Sequence, residues 1–427
     1  MQSAKLKTPS KEQMKYTPNF PLEERDARWE KMRKSMEREG IDCLVIWGSD
    51  RCYGTASANM RYLLGVVPES MSGGIGILPI DGDSVAWLDY PNYYKPYPAH
   101  LSYQDWTNDI RPVAGMKPIA KEMEKLGYKD GKIGLVSHYM ASMIEQQPYI
   151  VPHYDVEALK EFLPKAKFPE ATKLVDELRM IKSPAEVKMM EKSGHIANKM
   201  VNALIETSKP GALESEVFAK MAYTMLTEGG EGYLFNQLAS GSIDDEWHHL
   251  LHGKGLPLGP TMRPLGNRDI VITEFHSNYG GYLVGVEFTA LVGSYNEKIA
   301  NLHSIAVESL KRLMSKMTPN TTLGTVIEAM RAPVLEAGLS YIELGFHGHG
   351  LSSPEFPTYV YSDDWPYEAG EGINDYRLKE NTAFGINIDI HDPKWRDDVG
   401  IMFGDTVLVG NPPKLLANVP LNLPVCK

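Results

Sequence analysis

The stretch TEFHSNYGGYLVGVEF (273–288) contains one short run of residues, 273–279, before the pair Gly280–Gly281 and a second, 282–288, after it. Residues in a β-strand alternate between two faces, and a Gly-Gly pair between two such runs predicts a tight hairpin turn. On the first strand Glu274 and His276 share a face, and Glu287 on the second strand is expected to face the same side. The hairpin therefore is expected to gather two acids and a histidine on one of its faces.

The residues around this hairpin mix helices with paired strands. Ser183, Pro184 and Glu186 have the spacing of a capping box with proline at the first helical position, which predicts a helix within 178–201. Further helices are predicted at 215–228, 297–317 and 323–337, and paired strands at 270–293, 381–390 and 400–410. This order predicts an α+β domain over residues 171–427.

The first part of the chain alternates strands with helices. A polar arm is expected over 1–20, followed by an amphipathic helix over 21–40 that ends at a glycine. A second helix is predicted around 120–127, and short apolar strands at 42–48, 73–80, 84–90 and 132–137. Alternation of this kind predicts an α/β domain over residues 21–170.

Bulk properties restrict the kinds of partner. A chain of 427 residues exceeds the size at which one hydrophobic core stops growing, so two domains are expected. The formal net charge of -11 argues against nucleic acid as a partner, because phosphate binding needs a basic surface. Cys43, Cys52 and Cys426 have no zinc or disulfide spacing, which favours a reducing compartment. No signal peptide or membrane span is visible, so a cytoplasmic location without membrane partners is expected.

Five segments in order resemble the pita-bread fold family of creatinase, aminopeptidase P, prolidase and methionine aminopeptidase. These are NMRYLLG (59–65), interpreted as a strand-turn signature, LRMIKSPAEVKMM (178–190), RPLGNRDIVITE (263–274), GFHGHGLSSPEFP (345–357), and NTAFGINIDI (381–390) with GIMFGDTVLV (400–409). The resemblance implies an α/β N-terminal creatinase-like domain followed by an α+β C-terminal pita-bread catalytic domain. It also implies a hydrolase of C–N bonds that forms a homodimer.

In the metallopeptidases of this family, two Asp, one His and two Glu side chains hold two metal ions. The resemblance places these five positions on Glu274, Gly285, His347, Asn387 and Gly404. His347 is unchanged and Glu274 is a conservative replacement, but the two glycines have no side chain that could bind a metal ion. Because two divalent ions need several negative charges around them, no metal centre and no cofactor are expected.

The leading hypothesis follows creatinase, the family member known to work without metal. Glu287 lies two residues beyond the second aspartate position, where creatinase has an acid that helps bind its guanidinium-type substrate. A histidine upstream acts as acid and base in creatinase, and the segment 240–255 offers His248, His249 and His252 for this role, without deciding between them. The hypothesis is a metal-independent creatinase-like hydrolase that cleaves an amide, amidine or guanidine C–N bond of a small polar molecule.

Further residues have expected roles in this site. His347 is expected to polarise the electrophile, and an arginine to hold a substrate carboxylate. The substrate-binding candidates are Glu274, His276, His349, Glu355, Arg263, Asn387 and Arg61.

Three other functions remain open. The first is an Xaa-Pro aminopeptidase or prolidase-type metallopeptidase with displaced ligands, such as Asp389, Asp405, Glu274 and His347. The second is a lyase related to the dimethylsulfoniopropionate lyases of the same fold. The third is a binding protein without catalytic activity.

Overall fold

A computed structural model describes most of the chain, in two compact units. The described residues are 16–49, 57–67, 73–88, 105–112, 115–139, 149–231, 236–244, 260–359, 373–396 and 398–427. One unit comprises residues 1–179 and the other residues 180–427. The domain boundary expected from the sequence, between residues 170 and 171, lies just before the last helix of the first unit.

The N-terminal unit is built around a five-stranded mixed sheet with the strand order β4-β3-β2-β1-β5. Its elements are α1 (Leu22–Glu39), β1 (Cys43–Gly48), α2 (Ala58–Leu64), β2 (Gly74–Pro79), β3 (Val85–Leu88), β4 (Asp109–Pro112), α3 (Met116–Lys125), β5 (Ile133–Val136), β6 (His138–Tyr139), β7 (Tyr149–Ile150), α4 (His153–Phe162) and α5 (Thr172–Arg179). Pairing is antiparallel from β1 to β2 and from β2 to β3, and parallel from β1 to β5 and from β3 to β4. Buried apolar residues of these strands, α3 and α4 form the core of the unit.

The segment NMRYLLG is not a strand and turn, so that part of the resemblance-based interpretation is wrong. Residues 58–64 form helix α2, which ends at Gly65 in the left-handed conformation with φ 67°. Met60, Leu63 and Leu64 lie at helical spacing and are buried. Helical spacing of buried residues, together with a glycine at the helix end, accounts for the observed structure.

The described residues of the C-terminal unit form four helices longer than ten residues and two sheets. Its elements are α6 (Pro184–Thr207), α7 (Glu214–Thr227), β8 (Asn236–Ser242), β9 (Asp269–Tyr279), β10 (Tyr282–Val292), α8 (Glu297–Met314), α9 (Leu323–Glu336), β11 (Ser340–Gly348), β12 (Glu355–Tyr359), a short 3-10 helix (Ile373–Asp375), β13 (Ala383–His391), β14 (Gly400–Met402), β15 (Thr406–Leu408), β16 (Lys414–Leu415) and β17 (Val425–Cys426). One sheet has the order β17-β10-β9-β8, and the other has the order β12-β11-β13-β15-β16, with β14 also paired to β13. Throughout the described ranges, no helix has the length and apolar character needed to cross a membrane.

The hairpin predicted from the sequence is confirmed as the pair β9 and β10. Gly280 and Gly281 form its turn with φ values of 63° and 83°, a conformation that glycine adopts without steric cost. The antiparallel register pairs Glu274 with Glu287, and His276 with Gly285. All four positions therefore lie on neighbouring strands of the same sheet.

Backbone hydrogen bonds join this hairpin to the second sheet. The N–H of Glu287 donates to the carbonyl of Gly404 at 3.2 Å, and the N–H of Gly404 donates to the carbonyl of Glu287 at 3.0 Å. The hydroxyl of Thr406 accepts from the N–H of Gly285 at 2.9 Å and donates to its carbonyl at 3.0 Å. These contacts fix the hairpin against Gly404 and Thr406, next to the strand β13 that carries residues 385–387.

Candidate active site

A small cavity of about 10 Å³ lies between the two sheets of the C-terminal unit. It is lined by Glu274, His276, Gly285, Val286, Glu287, His347, His349, Gly385, Ile386 and Asn387. Space of about this size holds one water molecule. The cavity therefore has room for about one water molecule beside its polar side chains.

Three histidines meet in this cavity. The ring centroids of His276 and His349 are 5.1 Å apart, and those of His347 and His349 are 4.7 Å apart. Burial, with a smaller effect of His347, lowers the pKa of His276 to about 3. Burial also lowers the pKa of His347, and it lowers the pKa of His349 well below its usual value, with further effects from the two neighbouring histidines. The three imidazoles are thus neutral near pH 7, and each has one ring nitrogen that can accept a hydrogen bond.

Three carboxylates form a second group beside the cavity, which we call the acid cluster: Glu287, Glu343 and Asp389. Each offers an oxygen, and these oxygens lie within 4.8 Å of one another. All three residues are buried. The amide of Asn387 donates to Glu343 Oε2 at 2.9 Å, and the N–H of Ile388 donates to Glu287 Oε2 at 3.1 Å. Three buried carboxylates this close together require protons or a positive charge to offset their repulsion.

The five family positions do not fit a two-metal centre. Gly285 and Gly404 have no side-chain donor, and the amide of Asn387 is neutral and bonded to an acid of the cluster. A Cβ atom at position 404 would overlap the carbonyl oxygen of Ile386 and would lie 3.2 Å from Glu287 Oε2. The carboxylate of Glu287 thus lies beside the space that a side chain at 404 would enter.

Glu343 of the acid cluster was missed by the sequence-based reasoning. It precedes His347 by four residues on β11, so both side chains lie on one face of the strand. Its register partner on β13 is Asp389, which the sequence suggested as a displaced ligand. The spacing of Glu343 and His347 is a signal that could have identified it.

Two other candidates, Asp405 and Glu355, form hydrogen bonds with residues outside the cavity lining. Asp405 accepts hydrogen bonds from the N–H groups of Thr406 at 2.7 Å, Ala417 at 3.0 Å and Val419 at 3.2 Å. Burial raises the pKa of Asp405 to about 7, although these hydrogen bonds act in the opposite direction. Asp405 therefore anchors the C-terminal segment and is not in the acid cluster.

Glu355 does not line the cavity. Its carboxylate accepts from Lys182 Nζ at 2.7 Å and from the N–H of Ser352 at 3.2 Å. Lys182 is almost completely buried. The geometry gives Glu355 a structural ion pair, and substrate binding by this residue stays a prediction.

The two arginine candidates also lie outside the cavity lining. Arg263 donates to Asp269 Oδ2 at 2.6 Å and to the hydroxyl of Ser240 at 2.7 Å. Arg61 is half-buried on α2 of the N-terminal unit. Their role towards a substrate carboxylate stays a prediction.

His248, His249 and His252 lie outside the described residues. Among the candidates that the structure describes, it brings together Glu274, His276, Glu287, His347, His349 and Asn387 in one cavity.

Comparison with curated proteins finds relatives that match over most of their length. The chain is 28% identical over 393 residues to a protein of Pyrococcus furiosus named Xaa-Pro dipeptidase, covering 90% of this chain and 94% of the relative. A Pyrococcus horikoshii protein of the same name is 28% identical over 263 residues, covering 61% of this chain and 68% of that protein.

Solved structures have the same fold. The prolidase from Pyrococcus furiosus superposes with a TM-score of 0.67 at 25% identity, covering 91% of this chain and 99% of that chain. An X-Pro aminopeptidase from Thermotoga maritima superposes with a TM-score of 0.73 at 21% identity, covering 93% and 99% of the two chains. The predicted fold class, a creatinase-like N-terminal domain followed by a pita-bread domain, is confirmed.

These relatives correct the leading hypothesis. A metal-independent creatinase-like hydrolase is contradicted, because the curated relatives are named Xaa-Pro dipeptidases. The expected enzyme class, a hydrolase of C–N bonds, is confirmed. Residues 28–181 match the Creatinase/Prolidase N-terminal domain. Residues 188–411 match the model of Metallopeptidase family M24, and the chain belongs to that family.

Proposed function

We propose that the protein hydrolyses the peptide bond of an Xaa-Pro dipeptide or of a closely related small amide. The observation that carries this proposal is the match to the Pyrococcus furiosus Xaa-Pro dipeptidase, which extends over 94% of that protein. The cavity, about 10 Å³ in this structure, has room for about one water molecule, the co-reactant of hydrolysis.

The cavity contains the groups that amide hydrolysis needs. Water adds to the carbonyl carbon, the C–N bond breaks, and a proton from the water must reach the leaving nitrogen. The neutral imidazoles of His276 and His347 can hydrogen-bond to the water or to the carbonyl oxygen of the substrate. Glu274 and Glu287 supply carboxylates that can bind the substrate's amino group or orient the water.

The metal chemistry of the family would require displaced donors in this chain. We propose that Glu287, Glu343 and Asp389 would hold a cation, because their oxygens converge and carboxylates suit hard divalent ions. A divalent ion, when bound, would polarise a carbonyl and lower the pKa of a coordinated water.

The test is the release of proline from Xaa-Pro dipeptides by the purified protein. The protein is first treated with a chelator and then supplied with Mn²⁺, Co²⁺ or Zn²⁺ in separate samples. We expect turnover of Xaa-Pro substrates in at least one sample and little turnover of Xaa-Ala dipeptides with the same first residue. A lack of proline release in every sample, from protein shown to be folded, would contradict the proposal.

A cytoplasmic location and a homodimer are also part of this proposal. The first is supported by the spacing of the cysteines and the second by the family resemblance. Light scattering during size-exclusion chromatography tests the dimer, and a monomer at micromolar concentration would contradict it.

A further inference from the structure

We propose that the imidazole of His349 occupies the place of the second aspartate of the family pattern and contacts a neutral polar group of the substrate there. The contact with substrate rests on the proposed function, whereas the steric conflict between a side chain at position 285 and the ring of His349 does not.

Two glycines provide the space in which the ring of His349 lies. A Cβ atom on Gly285 would be 2.6 Å from His349 Cε1 and 2.9 Å from His276 Cδ2. A Cβ atom on Gly385 would overlap His349 Nε2. Real Cβ atoms do not approach other atoms this closely, so a side chain at either position requires His349 to move.

The ring of His349 is held in this space from several sides. The residue is 1% exposed, and its Nε2 lies 3.0 Å from the hydroxyl of Ser353. His276 packs against it edge-on and His347 packs at a tilt. Movement of the ring is therefore opposed by close packing, and an acid at 285 and the imidazole at 349 exclude each other.

The presence of His349 in place of an aspartate at position 285 changes the charge of the cavity. An aspartate at 285 would bring a negative oxygen donor, which hard divalent ions prefer, whereas His349 brings a neutral nitrogen. Its Nδ1 is buried and makes no hydrogen bond of ordinary geometry with the described residues. The backbone carbonyl of Leu283 interacts with the ring and partly offsets the lowering of the His349 pKa by burial. A polar substrate group in the cavity can interact with this ring, and an amide group has the required chemistry.

A double-mutant cycle tests the steric relationship. We expect Gly285→Ala to lower the unfolding midpoint by several degrees, roughly the effect of overpacking a core, and to lower it much less in a His349→Ala background. Gly385→Ala should behave in the same way, so the test survives if one variant does not fold.

The matched control is Gly404→Ala, whose Cβ would meet Ile386 and Glu287 but not His349. Its effect on the midpoint should be the same with and without His349. If the effects of Gly285→Ala and Gly385→Ala are also unchanged by removal of His349, the ring does not hold the space and the proposal is wrong.

Cobalt binding tests whether position 285 is a donor position. Chelator-treated Gly285→Asp/His349→Ala protein should bind Co²⁺ about tenfold or more tightly than His349→Ala protein, as measured by calorimetry, because it regains an acid diagonal to Glu274 on the neighbouring strand. Equal affinities of the two proteins would overturn the assignment. Neither result depends on the substrate, so failure here is distinct from failure of the proposed function.

The substrate contact has its own measurement. On the dipeptide that the wild type turns over best, His349→Ala should raise KM about tenfold or more, with a smaller change in kcat. An unchanged KM would exclude the contact and leave the dipeptidase activity in place.

Discussion

The carboxylate of Glu287 lies beside the space of an absent side chain at Gly404, since its Oε2 is 3.2 Å from the position that a Cβ atom would take. The backbones of the two residues are joined by a pair of hydrogen bonds, so this relationship is fixed by the fold. An acid from the hairpin thus lies next to position 404, to which the family resemblance assigns an acid. Glu287 both lines the cavity and belongs to the acid cluster.

Replacement of Glu287 by Gln should remove most of the activity. The amide keeps the size of the side chain and an oxygen that can accept from Ile388, but it loses the negative charge. We expect kcat to fall by roughly 10²–10⁴, the usual range for loss of a group that takes part in general acid–base catalysis. The measurement is the rate of proline release at saturating dipeptide, with the unfolding midpoint as a check on the fold.

Glu191→Gln is the control for this variant, because Glu191 forms a surface ion pair with Lys414. That variant should keep the wild-type rate. If Glu287→Gln keeps more than half of the wild-type kcat, the carboxylate has no direct part in the reaction.

Lys182→Met should destabilise the C-terminal unit strongly. Lys182 Nζ is 2.7 Å from Glu355 Oε2, and both side chains are nearly inaccessible to solvent. Removing the ammonium leaves a buried carboxylate without this cation, which typically costs about 3–5 kcal/mol in the free energy of unfolding. Urea denaturation of the C-terminal unit in the full chain measures the loss.

The double variant Lys182→Met/Glu355→Gln separates charge from packing. Its free energy of unfolding should be closer to the wild type than that of Lys182→Met, because no uncompensated charge remains. A double variant as unstable as the single variant would mean that the packing of the lysine stem, and not the charge, stabilises this region.

His303 should make the folded state less stable in acid. Burial lowers the pKa of His303 to about 4, and its ring packs edge-on against Phe403 at 4.9 Å. The folded chain therefore binds fewer protons at this residue than the unfolded chain between about pH 6.5 and pH 4, and stability is lost as the pH falls through this window. The loss is at most roughly 3–4 kcal/mol, since one pKa unit corresponds to about 1.4 kcal/mol.

His303→Leu is the variant that isolates this effect. The difference in unfolding free energy between the wild type and the variant should change with pH across that window, in favour of the variant at low pH. His195→Leu, at an exposed position on α6, is the control and should follow the wild-type curve. Parallel curves for the wild type and His303→Leu would show that the histidine is not held neutral.

Local signals in the sequence predicted much of the fold. The hairpin followed from alternation around Gly280–Gly281, and the start of α6 followed from the capping box. Both depend on residues close together in the chain, whose conformational preferences act before tertiary contacts. The segment 59–65 shows the limit, because a short apolar run is compatible with strand or helix until its neighbours are known.

The site was harder to predict because its contacts join distant residues. His276, His349 and Glu287 were found, since the strand faces of β9, β10 and β11 are visible in the sequence. The acid cluster depends on the register between β11 and β13 and on the bridge from β10 to Gly404, which no local pattern specifies. The proximity of the Glu287 carboxylate to position 404 is therefore visible only in three dimensions.

The capping box at the start of α6 is hydrogen-bonded to the hairpin. Replacing its two residues, Ser183 and Glu186, is therefore expected to lower the free energy of unfolding by unequal amounts. Glu186 Oε2 accepts from the N–H of Ser183 at 2.9 Å, and Glu186 Oε1 accepts from the hydroxyl of Tyr282 at 2.8 Å. Ser183→Ala removes only the cap and should cost about 1 kcal/mol. Glu186→Ala also removes a buried hydrogen bond of Tyr282, so it should cost about 1–3 kcal/mol more.

Tyr282→Phe completes the comparison. In this background, the cost of Glu186→Ala should fall by about 1 kcal/mol or more, while the cost of Ser183→Ala should stay the same. Chemical denaturation of the three single and two double variants provides the free energies. Equal costs of Glu186→Ala with and without the tyrosine hydroxyl would show that the helix start and the hairpin are energetically independent, in spite of their contact.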